Sequence, residues 1–228
     1  MLSEVMQKLS GGISFLGSVL IVMGLVPVTA LPSGRRRYSS YAGELCERPA
    51  NLPLRDDGTH DFGAARPFEL VVTDVTEFSL NGFRCYLSPQ LDCHDGDPVS
   101  WSISAHPDDD LCSSSLAAAR LKAGHGFVVH TDGGSCYMSR AWRALCEAGG
   151  ITRSMSRKGR SPDNARAEGF FGTLKREFFH NRDWTGVGFE EFVRELDAYM
   201  VWYRDERVVK ALGWRTIREY REEIGVVA

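Results

Sequence analysis

The chain lacks the marks of several common protein classes. Its six cysteines, Cys46, Cys85, Cys93, Cys112, Cys136 and Cys146, include no C-x-x-C pair. That excludes the usual zinc-finger and thiol-redox spacings. A chain of 228 residues needs no disulfide framework, and cysteines inside strand or helix patterns read as small core residues. An excess of basic charge is also missing. Against 27 Lys and Arg stand 30 Asp and Glu, a net charge of −3, so a polyanionic partner must be met by a local basic patch. No internal repeat and no extended low-complexity segment interrupts the chain. The length accommodates one sizeable domain, or a domain with an arm.

Charge of either sign is absent between residues 9 and 34. The run GGISFLGSVLIVMGLVPVTA follows Lys8 and ends on the small residues Val28, Thr29 and Ala30, a pattern shared with signal peptides. A membrane anchor is a second reading, weakened by Pro27, Pro32 and scattered glycines. The third is a degenerate or frame-altered remnant of an upstream helical region. Residues 35–65 begin with the basic cluster Arg35, Arg36 and Arg37. They continue through glycine, proline and alternating charge, the composition of an arm or linker.

From Phe68 onward the pattern is that of alternating strands and helices. FELVVTDVTEF is short and β-branched, a strand with Asp74 in its middle. FRCYLSPQLDC and VSWSIS are the next two strands, and the short Asn81-Gly82 connection predicts that the first pair is an antiparallel hairpin. DDLCSSSLAAARLKAG has the acidic start and glycine stop of a helix. FVVHTDGGS is a fourth strand with Asp132 at its carboxyl end, SRAWRALCEAGG a helix, and ITRSMS a fifth strand. The order predicts a mixed five-stranded sheet with helices on its faces.

The stretch SMSRKGRSPDNARAEGFFGTLKREFF organises the rest. Ser161 followed by Pro162 predicts a helix start. Ala167, Phe170, Phe171, Leu174 and Phe178 recur at helical spacing and form an apolar face, with Glu168 at its edge. Arg153, Arg157, Lys158 and Arg160 make the preceding loop basic. Taken singly, Glu168 reads equally as a surface glutamate and Asp132 as a turn residue. Asp74 differs, because a carboxylate inside an apolar strand asks for a partner. Two neighbouring strands and a helix packed across them would bring the three acids together. Such a cluster repels itself unless divalent cations fill it, and hard oxygen ligands suit Mg²⁺ or Mn²⁺.

TDVTEF with Asp74, HTDGGS with Asp132, and SPDNARAEGFFGTLKRE with Glu168 together resemble the catalytic core of bacterial insertion-sequence DDE transposases. In that group a second reading frame encodes a retroviral-integrase-like domain. The tail YMVWYRDERVVKALGWRTIREYR resembles the closing segment of those proteins, and the likeness covers residues 35–224. The resemblance implies a ribonuclease H-like α/β fold: a catalytic core over residues 66–185 and a helical C-terminal extension over 186–228. It implies Asp74, Asp132 and Glu168 as catalytic metal ligands for two Mg²⁺ (or Mn²⁺) ions. It also implies DNA cleavage and strand transfer at element ends. Lys175 would lie two helical turns beyond Glu168, about 10 Å along the axis, placed to hold terminal DNA. Arg153, Arg157, Lys158, Arg160, Arg166, Lys175 and Arg176 would follow the DNA backbone. The implied partners are DNA, further copies of the chain assembled on it, and an upstream-frame helix-turn-helix polypeptide. The resemblance implies no membrane partner.

This sequence departs from the family at several points. Gly133 stands where relatives carry Arg or Gln, so a polar contact beside Asp132 is expected to be missing. Val71 and Val72 stand where tryptophan is common, and Trp214, Arg215 and Thr216 replace an aromatic-Ser-Pro turn. The uncharged segment 1–34 replaces a basic helical region. The resemblance therefore favours the frame-altered remnant there, and a cytoplasmic protein. Two rivals follow: a non-catalytic DNA-binding relic of a transposase, and a membrane-targeted protein of unrelated role resting on residues 9–34 alone.

Overall fold

The structure is a computed structural model that describes residues 47–80, 82–157 and 161–226. The uncharged N-terminal segment, Cys46, Asn81, Lys158 and Arg160 lie outside the described residues. Four strands come first: β1 (Leu70–Thr73), β2 (Thr76–Leu80), β3 (Phe83–Asp92) and β4 (Pro98–Ser104). Helix α1 (Asp109–Ala123), strand β5 (Val128–Thr131), helix α2 (Arg140–Gly149) and strand β6 (Thr152–Met155) follow. A 3₁₀ turn (Ser161–Asn164) then leads into α3 (Ala165–Leu174), which runs on as a π turn (Lys175–Phe179). Helix α4 (Phe189–Asp205), a small β7–β8 ribbon (Val208–Val209 and Arg215–Thr216) and α5 (Ile217–Glu223) complete the chain.

The sheet carries the five expected strands, with the first broken in two. β3 is its long member: β2 and β1 pair with it in succession, antiparallel, and β4 covers its other edge. β5 and β6 continue beyond β1 in parallel. Leu80 faces Phe83, which confirms the two-residue hairpin. Asp74 does not sit inside a continuous strand as the pattern predicts. The register with β3 is unchanged across the break, Thr73 facing Gln90 and Thr76 facing Leu87, so Asp74 faces Pro89. Proline has no N–H to give the ladder. The Asp74 carboxylate instead accepts the N–H of Val75 at 2.7 Å.

Alternation along β1 divides the core between the two faces of the sheet. Leu70 and Val72 point to one side, where Phe78, Leu87 and Leu91 meet Ala167, Phe170, Phe171, Leu174 and Phe178 of the α3–π segment and Phe192, Leu196 and Met200 of α4. Val71 points to the other, where Val129 and Met155 meet Cys112, Leu116 and Ala119 of α1 and Trp142 and Cys146 of α2. Helix starts follow the sequence signals, with Asp108 capping the N–H of Leu111 and Ser139 that of Trp142. The exception is α3. The α-helix opens at Ala165, four residues after Ser161, because residues 161–164 form the 3₁₀ turn that docks on the sheet. Cys85, Cys93, Cys112 and Cys146 are buried, as core residues should be. Among the described residues no helix is long and apolar enough to cross a membrane.

Candidate active site

Asp74 and Asp132 come from adjacent parallel strands. Val72 pairs with His130, so two steps further along the same register Asp74 is level with Asp132, each just past the carboxyl end of its strand. The rim beyond strand carboxyl ends is where open α/β sheets bind ligands. Asp132 is fixed by its own turn, with Oδ1 accepting the N–H of Gly134 at 2.9 Å. Helix α3 crosses the same end of β1, held by Asn164, whose Nδ2 donates to the carbonyl of Thr73 at 3.4 Å. Glu168 lies one turn into that helix, on its exposed side.

Asp74 senses both of the other carboxylates. The Asp74 carboxyl is pushed up to about 7, by burial first and then by the negative charge of Asp132. The Val75 N–H pulls it back, Glu168 pushes it further up, and Lys175 opposes. All four side chains therefore share one electrostatic neighbourhood. Among the described residues, no group of three or more His, Cys, Asp and Glu side chains is placed closely enough to hold a metal ion. The donor set is nevertheless carboxylate oxygen, mutually repelling and open to solvent at Glu168, which suits a hard divalent cation.

The basic residues divide into those held by the protein and those facing outward. Arg153 is half-buried and donates from Nη2 to the carbonyl of Tyr137 at 3.1 Å. Arg166 donates to the carbonyl of Cys93 at 2.7 Å. Arg157 grips Asp163 with Nε and Nη2 at 3.0 and 2.9 Å. Arg176 is exposed and makes a long 3.4 Å contact to Thr173, and Lys175 stands within charge reach of Asp74.

Sequence reasoning missed the side chains that hold this arrangement. The Asp163 carboxylate, fully buried, accepts from Asn51 Nδ2 at 2.8 Å, from the Arg157 N–H at 2.8 Å and from the Arg157 guanidinium, and pairs with His60 Nε2 at 2.7 Å. These hydrogen bonds, Arg157's first, hold Asp163 well below the usual carboxylate range. His130, fully buried on β5, bonds Ser154, Ser156 and the carbonyl of Asp163. Burial lowers its proton affinity, so it serves as a neutral hydrogen-bond bridge. Residues 47–66, which read from the sequence as an arm or linker, thus lie along the domain, with Phe62 and Ala64 packed on its core. A histidine in an apolar strand and the Asp-Asn pair before the helix were the available signals.

The strand order, the helices on both faces and the acids at the strand ends define a ribonuclease H-like fold. Solved integrases share it. A chain of the simian T-cell lymphotropic virus intasome matches with TM-score 0.56 and 18% identity, over 72% of this chain and 55% of that one. The HTLV-2 integrase catalytic core domain, solved in complex with magnesium, matches with TM-score 0.52 and 15% identity, over 68% and 97%. Two family models described as integrase core domain match residues 64–161 and 168–224. A protein named as the probable transposase for insertion sequence element IS1353 of Shigella flexneri is 41% identical over 196 residues. InsK, assigned as the transposase of IS150 in Escherichia coli strain K12, is 37% identical over 190. A transposase-like protein of Haemophilus influenzae is 30% identical over 190. The matches cover 85%, 82% and 82% of this chain, and 37%, 65% and 84% of those proteins. The chain belongs to the insertion-sequence transposases with an integrase core domain.

Proposed function

We propose that the chain is the catalytic core of a transposase that cuts and joins DNA at the ends of an insertion sequence. The observation that carries this reading is the register that sets Asp74 level with Asp132 at the ends of adjacent parallel strands, with α3 and its Glu168 crossing the same end. In support, Asp132 and Glu168 both act on Asp74 by charge, a repulsion that has no structural use. Asp74, Asp132 and Glu168 would hold Mg²⁺ or Mn²⁺, two ions in all. When bound there, the ions would supply Lewis-acid stabilisation of the charge that develops at a phosphodiester. The chain's own groups do the rest. The Val75 and Gly134 N–H groups each occupy one oxygen of Asp74 and Asp132 and fix both carboxylates in place. Lys175 and Arg176 offer cations to the DNA backbone, contacts that position a duplex without reading its sequence.

Copies of the chain would assemble on DNA, and recognition of the element ends would come from an upstream-frame helix-turn-helix polypeptide. With DNA as substrate, the place of action is the cytoplasm.

Glu168→Gln tests the reading, since it keeps shape but removes one ligand charge. In Mg²⁺, with the recognition polypeptide supplied, wild type should cleave and join element-end DNA while Glu168→Gln does neither. Both should bind the DNA equally, because affinity comes from phosphates neutralised by cations. An active Glu168→Gln protein would end the assignment. Wild type that binds but never cleaves would make the chain a non-catalytic relic.

A further inference from the structure

One more cation lies beside Gly133, the neighbour of Asp132, and comes from a part of the chain outside α3. Arg48 lies exposed on the segment that runs along the domain. Its Nη1 donates to the carbonyl of Ser156, just past β6. Its Nη2 stands over Gly133, the residue that follows Asp132. A Cβ at position 133 would lie 2.5 Å from that nitrogen and 3.4 Å from the guanidinium carbon. The backbone of Gly133 is not left-handed, so glycine serves here to leave room. Any side chain at 133 would push the guanidinium away.

What Arg48 does with its charge differs from its neighbours. Arg157 is neutralised by a buried carboxylate, and Arg153 and Arg166 turn toward backbone carbonyls of the core. Arg48 uses one nitrogen on a neutral carbonyl, and among the described residues no carboxylate pairs with it. A solvent-facing guanidinium at the turn that follows Asp132 is suited to bidentate binding of a phosphate. It would also offset the repulsion that three carboxylates exert on a polyanion.

We propose that Arg48 binds a DNA phosphate at the edge of the Asp74, Asp132 and Glu168 cluster. It fills in space the place beside Asp132 that Gly133 leaves empty. The inference rests on the DNA-processing reading above.

The test is the affinity of the full chain for a fluorescently labelled blunt-ended DNA duplex across a salt series in Mg²⁺. Arg48→Ala should weaken binding and reduce the slope of log affinity against log salt by about one counterion. Arg48→Lys, which keeps the charge, should restore the slope. Gly133→Ala, which crowds the guanidinium off its seat, should weaken binding in the same direction. Combined with Arg48→Ala it should add nothing, as two changes acting through one contact do. An unchanged slope in Arg48→Ala, with wild-type binding intact, overturns this inference and leaves the function standing. So does a lowered melting temperature with a slope that Arg48→Lys fails to restore, since Arg48 would then only clamp the segment to β6. Wild type that does not bind element-end duplex even with the recognition polypeptide supplied removes the functional reading, and Arg48's role with it.

Discussion

Asp74 carries a charge that the metal-free fold resists. Its carboxyl is pushed up to about 7, against about 3.9 for an unfolded aspartate. Between those values the native state binds a proton that the unfolded state does not, so stability falls as pH rises from about 4 to 7. Asp74→Asn removes the buried, repelled charge. The variant should melt a few degrees above wild type at pH 8 in chelator, nearly match it at pH 4, and cleave no DNA. Thermal scans at the two pH values check this, and a variant that melts lower at pH 8 would show the carboxylate to be well paired. This residue was legible because an acid in an apolar strand is out of place wherever it occurs. Asp163 and His130 were not. Their partners stand far off in the chain, Asn51 112 residues from Asp163 and Ser156 26 residues from His130, and no local pattern announces such bonds.

Strands and helices were legible wherever one local rule decided them. A short β-branched run gave the first strand, an acidic start and a glycine stop gave α1, and the period of Ala167, Phe170, Phe171 and Leu174 gave the buried face of α3. The break in the first strand depends on Pro89, a residue of the neighbouring strand, so it shows only once the register is known. The start of α3 shifted for a similar reason, since residues 161–164 serve the sheet instead of the helix. Asp163 is the hinge of that arrangement and ties the segment near Asn51 and His60 to the turn before α3. Asp163→Ala strands those buried donors and should cost roughly 3 kcal/mol at pH 7. Its folded proton affinity is depressed, so the wild-type advantage is present above the unfolded value near 3.9 and is lost as pH falls below it. Urea unfolding at pH 7 and pH 3 measures both. An equal gap at the two pH values would show that the carboxylate charge contributes nothing.

At the scale of the whole molecule, a buried guanidinium ties the last helix, α5, to the sheet. Arg221 of α5, 3% exposed, pairs with Asp92 at 2.7 Å, Asp95 at 2.6 Å and Asp97 at 2.8 Å, all at the β3–β4 connection. Its guanidinium also sits over the ring of Phe68, where β1 is about to begin. One positive charge faces three negative ones, and the imbalance shows. Burial pushes Asp97 up to about 6, with Arg221 opposing and Asp95 adding to the rise. The extension is therefore held by charges that are costly to bury alone. Arg221→Met keeps the apolar stem but leaves three aspartates without their cation, a loss of about 3–5 kcal/mol at pH 8. Without Arg221 the Asp92 and Asp97 carboxyls rise further, and the native state then takes up protons that the unfolded state lacks above about pH 4. Stability of the variant should therefore recover as pH falls from 8 to 5, narrowing its gap to wild type. Thermal unfolding of both proteins at the two pH values decides the point. A gap of constant size would mean that α5 is held by the apolar contacts of Ile217 and its neighbours, with the aspartates able to reach water.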